Sequence, residues 1–171
     1  MIKIRQGCFE TNSSSTHAII VAAEKVEPFY VSVKFDIGEF GWEHDVLDSP
    51  DEKASYLYTA ACELSDNDVY DELVEKLAPY GVSCYSTNRA QFKEYEGHKY
   101  LDNGYVDHSD ECREFVDYMM ADTERLVSFL FSDKSYVVTA NDNCDDIDEL
   151  WYEGKIHNAD EYDHKIFYKG N

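Results

Sequence analysis

The sequence predicts a single α+β domain, in which a mixed β-sheet carries about four packed helices. Three observations lead there. Runs that are alternating, β-branched or aromatic lie towards both ends, at residues 18–23, 29–35, 135–140 and 164–168. Segments of helical period with capping residues fill the middle. The 171 residues, 43% of them hydrophobic, suffice for one core, and no repeat or linker divides residues 1–171.

Taken in order, residues 1–5 read as a short strand. A polar loop follows, then strands over 18–23 and 29–35. Gly38, Gly41, Asp48 and Pro50 mark a loop. Ser49-Pro50-Asp51-Glu52 then starts a helix, with Ser49 as N-cap, proline at the first helical position and acids in the first turn. Ala54, Leu57, Tyr58, Ala61 and Leu64 form its expected inward face.

Ser65-Asp66-Asn67-Asp68 opens a second helix with Val69, Leu73, Val74 and Leu77 inward, ended by Pro79 and Gly81. A strand is expected at 82–86. Residues 88–105, polar and aromatic, fit no single period. Ser109 is the expected cap of a helix over 110–120, and another runs over 122–131 with Leu126, Val127, Leu130 and Phe131 inward. The strand at 135–140, a short helix at 145–151 and a closing strand at 164–168 complete the chain.

The charge balance restricts function. Asp and Glu total 36 against 15 Lys and Arg, a net charge of −21. Bare nucleic acid, which needs clustered cations, is not an expected ligand. An anionic membrane surface is excluded on the same ground, and no apolar run is long enough to span a bilayer. The charge suits a basic partner, such as a host or phage protein that itself holds nucleic acid. The aromatic residues, 14 Tyr and 9 Phe, suit a contact surface as well as a core. Cys8, Cys62, Cys84, Cys112 and Cys144 stand far apart with no Cys-x-x-Cys pair. That speaks against structural zinc and for a reducing cytoplasm.

Three clusters carry candidate chemistry. In the opening loop, Arg5 offers a bidentate contact to phosphate or carboxylate. Glu10, Asn12, Ser13, Ser14 and His17 add donors and acceptors that either bind a partner or close a turn network. A serine beside His17 suggests a nucleophile and base, but no third group is in sight. In the second cluster, Asp107 and His108 precede a helix and form a candidate metal or acid–base pair. In the third, Asp142 follows a strand end, where phosphate- or metal-directed groups are often found. The acids after it lack the glycine and the placed glutamate of a calcium loop. Brought together, Asp107, His108 and Asp142 would serve a magnesium- or manganese-dependent hydrolase acting on RNA or DNA.

The string Arg5-Gln6-Gly7-Cys8-Phe9-Glu10-Thr11-Asn12-Ser13-Ser14-Ser15-Thr16-His17 resembles the start of a family of small phage and prophage proteins of uncharacterised activity. The stretch from Tyr105 to Ser109 and the strand region from Phe131 to Asn143 are similar to it too. Ala18 stands where that resemblance leads one to expect a serine. The resemblance implies a phage context. Small acidic phage proteins resemble inhibitors that imitate the phosphate backbone and occupy the basic groove of a host nuclease or RNA-guided defence complex. The expected function is therefore an acidic accessory protein of anti-defence, anti-CRISPR-like type, with the hydrolase as the alternative.

Overall fold

The helix that starts at Ser49 organises everything around it. In the computed structural model, which describes residues 15–26, 31–141 and 163–169, it is α1 (Pro50–Ser65). Its start is set locally, as the sequence predicts. The Glu52 N–H donates to Ser49 Oγ at 3.3 Å, and the Ser49 N–H donates back to Glu52 Oε2 at 3.2 Å. This reciprocal box satisfies two amides that a helix start leaves open.

The inward face of α1 is wider than its sequence period suggests. Lys53, Tyr56, Thr59, Ala60 and Cys62 are buried together with the expected Ala54, Leu57, Tyr58 and Ala61, whereas Leu64 is only half-buried. A helix buried on nearly all sides is the central element of a core. Burying each large side chain contributes about 1.5–3 kcal/mol. Lys53 is tolerated there because its Nζ donates to the carbonyls of Ser132 and Ser135 at 2.8 and 2.9 Å.

Among the described residues, strands are β1 (Ser15–Ala22), β2 (Val31–Lys34), β3 (Glu39–Phe40), β4 (Asp45–Leu47), β5 (Val82–Tyr85), β6 (Phe92–Tyr95), β7 (His98–Leu101), β8 (Tyr105–Val106), β9 (Tyr136–Asn141) and β10 (His164–Lys169). The remaining helices are α2 (Tyr70–Leu77), α3 (Arg113–Met120) and α4 (Thr123–Phe131). The α+β class is as expected. The mixture of strand directions is divided among sheets. β10-β1-β9-β4 form one antiparallel sheet, β2/β5 and β3/β8 are parallel pairs, and β6/β7 is an antiparallel hairpin.

In β1 the two faces alternate. Ile19 and Val21, with Val137, Leu47 and Phe167, join the main core with α1 and α4. Ala18 and Ile20 form a second cluster with Tyr136 and Val138 on the other face, each opposite its cross-strand neighbour.

Several elements differ from expectation. The loop at 38–50 contains the short strands β3 and β4, which are too brief to show a period. The unassigned stretch 88–105 holds β6 and β7, joined by Glu96 and Gly97 at φ +51° and +82°. That pair of left-handed residues is the signature of a two-residue hairpin turn. Ser109 is not a helix cap. His108, at φ +53°, precedes a 3₁₀ turn (Ser109–Cys112), and α3 follows without a side-chain cap. The segment expected to open α2 ends α1 as well: Asp66 takes a left-handed C-cap at φ +53°, and Asp68 Oδ1 accepts the Tyr70 N–H at 3.0 Å. Asp122 caps α4 through the Arg125 N–H at 3.1 Å. The strand expected at 1–5 and the helix expected at 145–151 lie outside the described residues.

Candidate functional site

Strands β3 and β8 bring two distant stretches of chain into register. The Tyr105 and Asp107 N–H groups donate to the Gly38 and Phe40 carbonyls, each at 2.9 Å. The approach is so close at Gly104 that any Cβ there would run into the Gly38 carbonyl and the Ile37 side chain. On the helix side, Glu63, near the end of α1, accepts the Val106 N–H on Oε2 at 2.8 Å. A helix, a parallel strand pair and the β6/β7 hairpin thus fix one concave face.

That face is a groove of about 1000 Å³. Five carboxylates line it, from Glu39, Glu63, Asp102, Asp107 and Asp110, beside Tyr100, Tyr105 and His108. Its one lysine, Lys93, is tied to Asp102 at 2.7 Å. Burial raises the Glu63 carboxyl above its usual range, against the pull of the Val106 amide and the Ser109 hydroxyl. The negative charges of Asp110 and Asp107 push it further in the same direction. A carboxyl held in a cleft with like charges around it marks a place where a cation would be stabilised.

Of the predicted residues, Asp107 and His108 lie in this groove. The His108 ring is 3.9 Å from Asp107 and 3.9 Å from Glu111, and half exposed. His17 sits elsewhere. It is fully buried in β1, with Nδ1 2.7 Å from the Tyr56 hydroxyl, which in turn lies 3.3 Å from Cys112 Sγ. Burial, and then Cys112, raise the Tyr56 hydroxyl well above its ordinary value, so it stays protonated. His17 therefore belongs to the core and presents no surface to a partner.

His17 nevertheless abuts the groove from behind. Gly41, at φ +116°, separates it from Asp107. A Cβ on Gly41 would lie 2.8 Å from both His17 Nε2 and Asp107 Cβ. Arg5, Glu10, Asn12, Ser13, Ser14 and Asp142 lie outside the described residues.

Glu63, Glu39, Asp102 and Tyr100 are not singled out by the sequence. Only Glu63 left a signal: it ends the run from Tyr56 to Cys62 that is buried all round, so its charge must find a partner at the edge of the core.

Chemically, the groove can receive a cation. Among the described residues, no group of three or more His, Cys, Asp or Glu side chains is arranged to hold a metal ion. No described helix is long and apolar enough to cross a membrane. No family model, curated protein or solved structure matches the chain.

Proposed function

We propose that this chain is an acidic accessory protein that binds, and thereby inhibits, a basic nucleic-acid-handling protein. In the phage context implied by the opening string, the target would be a host nuclease or an RNA-guided defence complex. The observation that carries the reading is the carboxylate-lined groove on a chain of net charge −21. Carboxylates fixed on a helix end and a strand pair keep their spacing in the free protein, so a basic partner meets a preorganised surface. Competition with nucleic acid follows if those carboxylates stand where phosphates would.

The magnesium- or manganese-dependent hydrolase receives less support. Asp107 and His108 adjoin Glu63 in the groove, and Asp142, the third residue of that reading, lies outside the described residues. The test is capture of a partner by the tagged full chain at low and high salt, followed by an assay of whether nucleic acid displaces it. Attraction between charged surfaces weakens as salt screens it. A captured basic protein, released by salt and by competing nucleic acid, supports the reading. Cleavage of RNA or DNA by the purified chain with added magnesium or manganese, lost in His108→Ala, would replace it with the hydrolase.

A further inference from the structure

The groove is lined by two kinds of group. One is acidic, with Glu63, Asp107 and Asp110. The other is aromatic: Tyr100 stands on β7 with its side 43% exposed, facing the same space. The hairpin register places Tyr100 opposite Lys93 and Tyr95 opposite His98, so Lys93, Tyr95, His98 and Tyr100 share one face. Tyr95 is 59% exposed. Tyr100 lines the groove with the carboxylates, and Tyr95 stands on the same face of the hairpin.

We infer that this groove is a docking site for an arginine-bearing extended segment of a basic protein, with a guanidinium entering between the Tyr100 ring and the carboxylates of Glu63 and Asp107. The inference rests on the reading of the chain as a binder of basic proteins. Charge complementarity selects a cation, since five carboxylates line the groove and only two of them, Asp102 with Lys93 and Asp110 with Arg113, form an ion pair with a lysine or arginine of the described residues. The aromatic group selects arginine over lysine. A planar guanidinium stacks on a phenol ring and offers a fork of donors to a carboxylate, whereas an ammonium is a compact, strongly hydrated point charge.

The protein already makes this contact internally. Arg89 lies 3.9 Å over the Tyr70 ring while its Nε and Nη2 reach Asp68 at 2.9 and 2.7 Å. Arg125 likewise lies 3.6 Å over the Tyr118 ring and reaches Asp122 at 3.3 Å. The groove presents the ring and the carboxylates of that arrangement to an arginine from outside.

The test uses the ¹⁵N-labelled full chain and two synthetic peptides that alternate glycine with arginine or glycine with lysine. The arginine peptide is expected to bind about fivefold tighter, with amide shifts concentrated at residues 100–110. Tyr100→Ala should abolish the preference. Glu63→Gln should weaken the arginine peptide about tenfold. Asp110→Asn, at a side chain 92% exposed and paired with Arg113 at 3.3 Å, should weaken both peptides while the dispersion of the amide spectrum shows the fold intact. Equal affinity for the two peptides, with shifts spread over the whole acidic surface, would overturn the groove as an arginine site and leave the general reading standing. Failure of both peptides to bind at low salt would overturn the groove and the general reading together.

Discussion

At the scale of the residue, the fold depends on polar groups held where water cannot reach. Lys53 is the extreme case. Burial lowers its ammonium to about 8, against the pull of Asp48 and Asp133. Below pH 8 both the folded and the unfolded chain carry this proton, and the cost of the buried charge is present in full. Between 8 and the ordinary 10.5, the unfolded chain keeps the proton and the folded one sheds it, so this group's contribution to stability rises with pH. Urea unfolding of the wild type and of Lys53→Met at pH 7.5 and pH 10 isolates that contribution. The wild type should gain about 2 kcal/mol relative to the variant at the higher pH. Gly41 is the second case. With φ at +116° and both neighbours within 2.8 Å of any Cβ, Gly41→Ala should destabilise by about 1–3 kcal/mol. It should also displace Asp107, read as amide shifts at 105–110. An unchanged melting temperature together with an unchanged spectrum would show that His17 and Asp107 are not packed against that backbone.

Among the elements, legibility in the sequence follows locality. The start of α1 was readable because its N-cap serine, its proline and its first-turn acids stand in four consecutive residues. Ser49→Ala should cost about 1 kcal/mol in thermal or urea unfolding, and a neutral result would mean the box adds nothing beyond the proline and the acids beside it. Strands β1, β2, β5, β9 and β10 were readable from alternation and β-branching. The hairpin at 92–101 was not, because its residues are largely exposed and carry no apolar period; only the Glu96-Gly97 turn announces it. β3 and β8 pair over two residues each and are defined by tertiary contact alone. Ser109 misled for a related reason: the left-handed His108 turns the chain first into a 3₁₀ turn, so a residue of the right type stands in the wrong conformation. Two residues of the candidate site could be found from local sequence. Asp107 and His108 are adjacent in sequence, while Glu39, Glu63 and Tyr100 reach them only through β3, α1 and β7.

For the molecule as a whole, a charge of −21 and a groove that concentrates carboxylates on rigid elements belong to one account. On the proposed function, the net charge would draw a basic partner from a distance, salt would weaken that pull, and the groove would hold it. The most direct test compares the tagged wild type with a triple variant, Glu63→Gln, Asp107→Asn and Asp110→Asn, in capture from a bacterial lysate at low and high salt. The account predicts that the wild type retains a basic nucleic-acid-binding protein at low salt and releases it at high salt, and that the triple variant, folded by circular dichroism, fails to hold it. A captured protein that the variant retains as well as the wild type, or that high salt leaves in place, would contradict the account.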